Sequence, residues 1–537
     1  MLAGARALER ADWDAALAAF DQALLVADTP QAHDGRGQAL WFLGRISDSV
    51  AERERAFDGY VEAGGCDEAA RAAVWVSHQH LLGGRSSAAR GWLSRAERSL
   101  DGAAASCPGR GWLAVERARQ AGSAAEQLAG ATTALAIARG RRIRDLEVLA
   151  LALMGRAVIS TGRQEDGLLL LEEAMAAASS GQVRSVHTLA EAYCNLIEGC
   201  AIAGDWERGA EWCELVEDFA RKHEAAPLLG ACRTIHADVL LQTGHWPEAE
   251  HALEVALATH AQFIPQMSAP ALATLAELRV QQGRLADAER LLAGRDEDSA
   301  SLRALALLRL AAGHPLDAAA LLERGLRAAG DHAVRASALL AALVEARLDC
   351  GNTGAAASAG DELSGLARTT GIRLVQAQAD LAQARVALAS GRPRDAAEPV
   401  RRALQAFRRS AMPFGIGQAR LCLARALAAE APALAQDEAR LALEIFRELG
   451  AARAADAAAA LLRELGVATG ARPRVPGQLT AREQEVLELV ALGMSNARIA
   501  STLVISEKTA GHHVSRILTK LGVSNRTEAA ARARAHA

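Results

Sequence analysis

Glycines return along this chain at a nearly constant interval, and that interval limits the fold more than any other feature. Gly44, Gly84, Gly122, Gly162, Gly204, Gly244, Gly283, Gly313, Gly351 and Gly391 stand at steps of 40, 38, 40, 42, 40, 39, 30, 38 and 40. A polar or small residue and then an alanine-rich stretch follow each of them. Five residues beyond the glycine a small residue recurs: Ala89, Gly167, Gly209, Ala249, Ala288, Ala318, Ala356 and Ala396. Ala11 and Ala431 carry the register to both ends with alanine in the glycine's place, and "ADW" at 11–13, "GDW" at 204–206 and "GHW" at 244–246 reinforce it. A glycine ends the first helix of a pair, and a small residue at a fixed place lets two helices approach closely. One helix pair cannot bury its apolar face alone, so a period near 40 built this way predicts an all-α solenoid. The 30-residue step from Gly283 to Gly313 predicts a shortened or bent pair.

Hydrophobic residues make up 51% of the chain but aromatic ones only 3%, so its apolar mass is Ala, Leu and Val, which favours helices over strands. The eight tryptophans (13, 41, 75, 92, 112, 206, 212, 246) all lie in the first half. They either pack the core or line a pocket, and packing is the commoner use at repeat-equivalent positions. "QFIPQMSAP" (262–270) and "SAMPFGIG" (410–417) break the helical rhythm, as groove edges or as long connections. The body resembles tetratricopeptide-like repeats, with units longer than that family's usual length, and the long-repeat superhelix of MalT-like regulators. The resemblance implies a surface for an effector, a protein or small molecule of unknown identity.

Charge divides the chain. From Arg472 onward ten basic residues face five acidic ones, a net of +5, and the remaining 50 basic and 59 acidic residues carry −9. A basic tail on an acidic body calls for an anionic partner at the tail alone. Enzymatic chemistry is missing from the pattern. The three lysines, Lys222, Lys508 and Lys520, follow no GxxxxG, so no P-loop is formed. "HEAAP" at 223–227 puts Pro227 where a zinc-binding helix needs its second histidine, and "GIGQAR" at 415–420 lacks the third glycine of a dinucleotide site. No GxSxG elbow occurs, and pairs such as Glu172–Glu173 read as solvated helix surface. The expectation is a protein without catalytic residues, cofactor or metal site. Eight cysteines form no CxxC, which predicts buried, reduced thiols. No apolar run reaches the roughly 18 residues of a membrane span. Glu9, Asp12 and Asp14 interrupt the start where a signal peptide is apolar. A cytoplasmic location with no membrane contact is expected, on the nucleoid when DNA is bound.

"GVATGARPRVPGQ", 466–478, reads as a linker between a body of residues 1–465 and a domain of residues 479–537. Thr480 with Glu483 forms a T-x-x-E capping box for a helix with Val486, Leu487 and Val490 inward, and Gly493 ends it. Ser495 caps a second helix carrying Ile499, Ala500 and Leu503. Val504-Ile505 turns the chain, and Ser506 caps "SEKTAGHHVSRILTKLG", with Val514, Ile517, Leu518 and Leu521 on one face. Asn525 with Glu528 caps a last helix running to about Ala535. Two short helices joined by a tight turn make a helix-turn-helix.

Residues 479–533 resemble the LuxR/NarL-type DNA-binding domain. The match runs through Leu479-Thr480, Arg482-Glu483, Glu485-Val486-Leu487, Gly493, Asn496, Ile499-Ala500, Leu503, Ser506, Thr509, His513-Val514, Ile517, Lys520-Leu521, Val523 and Arg526. Ala510 departs from it, standing where the family has a larger branched residue. The resemblance implies that the third helix lies in the major groove of double-stranded DNA, with positions 508, 511, 512, 515 and 519 on the DNA side. His512 and Ser515 are then the base readers, with Arg516 reaching in and Thr519 on the same side. Lys508, Thr509, Lys520 and Arg526 are placed for phosphates. Gly511 has no neighbour to pack on in the free protein and lets the backbone come close to DNA. His513 is a packing residue, and adjacent histidines share no helix face, so they form no metal site. Residues 525–535 are implied to pair in a homodimer on an inverted repeat. The whole resembles large LuxR regulators without their ATPase module. It implies a transcription regulator controlled by a ligand or partner on the body; the alternative is an interaction scaffold that uses the tail only to locate on DNA. A ratio of 57 arginines to 3 lysines indicates a GC-rich bacterial genome.

Overall fold

The computed structural model describes residues 1–179, 183, 185–222, 226–329, 333–467, 486–487, 489–503, 507–521, 523 and 525–534. Within these, the side chains of 179, 220, 222, 226–229, 501–502, 508–509, 516, 519–521 and 531–534 also lie outside the description. The chain divides into two compact units, Met1–Val467 and Ala468–Ala537.

The first unit is an α-solenoid. Among the described residues it runs through 25 α-helices, from Leu2–Glu9 to Ala452–Glu464, with a 3-10 turn at Pro265–Met267. Nine of the ten repeat glycines take left-handed φ angles between 71° and 88° and close the first helix of a pair. At Gly44 the closure is a pair of backbone bonds, Gly44 N to Trp41 O (3.0 Å) and Arg45 N to Leu40 O (2.9 Å), and the same pattern recurs at Gly84 and Gly244. Gly122 departs. There Ser123 Oγ accepts from Glu126 N (3.2 Å) while Gly122 N donates to Glu126 Oε2 (3.1 Å), so a capping box takes the place of a left-handed glycine. Ala11 keeps the glycine conformation with φ +58°, whereas Ala431 is extended at φ −142°.

The fifth-position residues lie where helices touch. Ala89, Ala249, Ala288, Ala318, Ala356 and Ala396 are all fully buried. A Cβ on Gly167 would stand 2.5 Å from the carbonyl oxygen of Gly155, and one on Gly155 would stand 2.8 Å from that of Gly167. That crossing of Arg144–Ser160 with Gln164–Ser179 is backbone against backbone. At the irregular step, Leu285–Leu292 has 8 residues and Leu302–Ala311 has 10, so the pair is shortened.

Each helix packs on the next, and from Cys66–Leu82 onward the first helix of each pair also packs on the first helix of the following pair. The superhelix turns tightly enough to meet itself. Trp206, Cys213, Val216, Cys232 and Val239 share a core with Ala377, Leu381, Ala403 and Phe407. A Cβ on Gly162 would lie 1.8 Å from the carbonyl oxygen of Thr370, and one on Gly44 would lie 2.1 Å from the Phe263 ring. The two rhythm-breaking stretches serve these contacts. Ile264 packs with Trp13, Trp41, Phe42 and Val186, and Pro413 lies beside Gly244. Trp13, Trp41, Trp92, Trp206 and Trp246 are buried, which is the packing use of tryptophan. All eight cysteines are free, and Cys107, Cys200, Cys213, Cys232 and Cys422 are buried. Among the described residues no helix is long and apolar enough to cross a membrane.

The second unit is a small helical domain. Its core gathers Val486, Leu487, Val490, Ile499, Ala500, Ala510, Val514, Ile517, Ala529 and Ala530.

Candidate nucleic-acid interface

The helix-turn-helix is built from local signals. Gly493, at φ +76°, stops the preceding helix, with Gly493 N on Val490 O (2.9 Å) and Met494 N on Leu489 O (3.1 Å). Ser495 Oγ then accepts from Arg498 N at 3.3 Å and starts Asn496–Leu503, whose Ile499 and Ala500 are buried. The linker residues 468–478, the Thr480–Glu483 box, the Val504-Ile505 turn and the Ser506 cap lie outside the described residues.

Helix Glu507–Leu521 is split lengthwise. Ala510, Val514 and Ile517 are buried at spacings of four and three, while Glu507, His512 and Ser515 are exposed. Of the two histidines, His512 points outward and His513 is half-buried. Lys508, Thr509, Arg516, Thr519 and Lys520 lie on this helix by their backbone, and their side chains are outside the described residues. Ala510 is fully buried in the domain core.

Gly511 has a neighbour. It is half-buried, and a Cβ there would sit 3.4 Å from Asn496 Nδ2. Asn496 also faces Arg526, which donates from Nη1 to Asn496 Oδ1 at 2.7 Å and from Nη2 to the Met494 carbonyl. One carboxamide therefore stands among three helices, beside Gly511 on the outward-facing helix and bonded to Arg526 on the last. Arg526 uses two of its five N–H donors in these bonds. Asn525 and Glu528 cap the last helix reciprocally, with Glu528 N on Asn525 Oδ1 (2.9 Å) and Asn525 Nδ2 on Glu528 Oε1 (2.8 Å). Helix Arg526–Arg534 thus covers the described part of 525–535, with Ala529 and Ala530 turned into the core. The Asn496–Arg526 bridge was not read from the sequence, since its partners lie 30 residues apart and no local pattern joins them.

A helix held in the domain core by its apolar stripe, with His512 and Ser515 exposed, has the form of an element that fits a groove lined with phosphates and base edges. Residues 477–533 match the sequence model described as bacterial regulatory proteins, luxR family. The uncharacterized transcriptional regulatory protein YhcZ of Bacillus subtilis is 57% identical over 53 residues, which are 10% of this chain and 25% of that protein. The transcriptional regulatory protein DegU of Brevibacillus brevis is 55% identical over 51 residues, 10% of this chain and 22% of that one. The DNA-binding transcriptional activator DevR/DosR of Mycobacterium tuberculosis is 42% identical over 74 residues, 14% of this chain and 34% of its own. The chain thus spans between 22% and 34% of the length of these relatives. Among solved structures, the Cut9–Hcn1 heterotetramer of the APC/C aligns over 86% of this chain and 95% of that one, at 13% identity and a TM-score of 0.46.

Proposed function

We propose that this protein is a sequence-specific transcription regulator whose helix Glu507–Leu521 enters the major groove of double-stranded DNA. The observation that carries the reading is the division of that helix. Its apolar positions 510, 514 and 517 are consumed by the domain core, whereas His512 and Ser515 are exposed. His512 and Ser515 read base edges. Lys508, Thr509, Arg516, Thr519 and Lys520 supply phosphate and flanking contacts, and Arg526 holds the helices in register through Asn496 while its remaining donors face the backbone. Residues 525–535 pair two copies on an inverted repeat, with half-sites about one helical turn apart. The solenoid supplies control through a ligand or protein partner, and the protein acts in the bacterial cytoplasm.

Fluorescence anisotropy of the full chain on DNA from the region upstream of its own gene tests the reading. Specific binding should weaken on His512→Ala or Ser515→Ala by about 1–3 kcal/mol per lost base contact, with sequence preference relaxed at one position. A chain that binds all DNA equally, before and after these changes, removes base readout from the proposal.

A further inference from the structure

The solenoid holds a polar cluster that the DNA reading does not use. His78 lies on helix Cys66–Leu82, Glu116 on Pro108–Arg119, and His187 and Glu191 one turn apart at the start of Val186–Ala203. Their packing brings one donor atom from each of His78, His187 and Glu191 within 4.8 Å of the others. His78 and His187 are buried, and the Glu191 side chain keeps only 15% of its exposure.

The distances decide between hydrogen bonding and another use. His187 Nε2 stands 3.7 Å from Glu191 Oε2, and His78 Nε2 stands 4.0 Å from Glu191 Oε1. Both exceed the roughly 2.7–3.2 Å of a hydrogen bond. Neither ring nitrogen of His187 has a hydrogen-bond partner, although the residue is only 3% exposed. Leaving such groups unpaired in the interior carries a desolvation cost that a ligand would relieve. Zinc bonds of about 2.0–2.1 Å at tetrahedral angles set neighbouring donors about 3.3–3.4 Å apart, so donors that lie within 4.8 Å of one another here would draw together on an ion.

We propose that His78, His187 and Glu191 form a binding site for a divalent transition cation of the zinc class. Two imidazole nitrogens and a carboxylate suit that class and not magnesium or calcium, which take oxygen donors. The surroundings are arranged accordingly. Glu116 Oε2 lies 3.4 Å from His78 Nδ1, where it would accept a hydrogen bond from Nδ1–H once Nε2 turns to the metal. Arg119 donates to Glu116 at 2.6 Å and to Glu191, leaving Glu191 Oε1 for the cation. The Trp75 ring stands edge-on to His187 at 4.3 Å and closes one side with apolar surface. Three protein donors leave a fourth position for water or a ligand group. A bound ion ties together helices more than 100 residues apart in sequence and so stiffens one part of the solenoid.

The experiment uses the full chain, stripped of metal by chelator dialysis, and needs no DNA. Zinc chloride is titrated in competition with a chromophoric chelator, and cobalt chloride supplies a visible absorption band that reports few-coordinate nitrogen and oxygen donors. One tightly held equivalent per chain is expected. His187→Ala and Glu191→Gln should weaken it by more than the roughly 10–100-fold that loss of the supporting Glu116 carboxylate in Glu116→Gln produces. Circular dichroism of each variant checks the fold. If His187→Ala does not fold, Glu191→Gln, which keeps the side-chain shape, decides the matter alone. A full chain that binds no zinc overturns the proposal. So does binding that survives Glu191→Gln and disappears in Cys232→Ser, since the metal would then sit on thiols.

Discussion

Ala411 shows how much one backbone angle controls in this chain. It is exposed and sits at φ +49°, in the region that glycine takes without strain. A left-handed alanine is disfavoured by about 1–2 kcal/mol, part of which is offset because glycine loses more freedom on folding. Ala411→Gly should therefore raise stability by up to about 1 kcal/mol, read as a shift in the urea midpoint with unchanged slope. Ala11→Gly should gain less, because the Ala11 methyl is buried beside Trp13 and Phe42. The fifth repeat position makes a sharper pair. Gly209→Ala places its methyl 3.5 Å from the Cys200 Cβ, an ordinary contact, and removes a helical glycine, so it should stabilise by about 0.5–1 kcal/mol. Gly167→Ala drives its methyl to 2.5 Å from a backbone oxygen and should destabilise by at least about 1–3 kcal/mol. That this position is small was legible in the sequence. Which glycines are obligatory was not, because the answer lies in how close the facing backbone comes.

At the scale of single elements, local chemistry was the readable part. The caps at Ser495 and Asn525 have their partners three residues on, within the span that a sequence pattern covers. Asn525→Ala should cost about 1 kcal/mol of the C-terminal domain's stability by removing both halves of the reciprocal cap. What the pattern cannot carry is the reach of Asn496 toward Gly511 and Arg526. Gly511→Ala meets Asn496 Nδ2 at 3.4 Å and should be accommodated, whereas Gly511→Leu should displace Asn496 and loosen Arg526. The two variants separate a need for space from a need for backbone freedom when folding and DNA binding are measured together. Between body helices, Glu250 of Trp246–Phe263 pairs with Arg279 of Ser268–Gln281. The Arg279 hydrogen bond, against the opposing effect of burial, holds the Glu250 carboxyl below the usual range. Its contribution to stability is therefore full above the ordinary carboxylate pKa and is lost as pH falls through the depressed folded value. Glu250→Gln should lower the neutral plateau of a stability–pH curve and flatten its acid limb below about pH 4.5, so that the two proteins converge in acid.

On the scale of the whole molecule, the period predicted a solenoid but not that its turns would touch, since Gly162 and Thr370 stand more than 200 residues apart. Gly84 and Gly162 share a left-handed φ, yet only Gly162 meets another turn of the superhelix, and Gly84 has nothing within 4 Å of where a Cβ would lie. Gly84→Ala should thus cost only the strain of its angle, about 1–2 kcal/mol. Gly162→Ala adds the lost seating against Thr370 and should be clearly worse in a thermal melt. The same long separations hid His78 from His187. Charge, by contrast, is legible over any distance. The body carries −9 and the tail +5, and under the proposed function an acidic body would compete with phosphates for the basic residues of the tail. Residues 466–537 alone should therefore bind the upstream DNA more tightly than the full chain does, with the gap shrinking as salt rises. Log affinity of the fragment should fall against log salt with a slope of about −0.9 per phosphate contact. A gap that persists at high salt would place the restraint in geometry rather than charge, and equal affinities at all salts would remove the body from control of DNA binding.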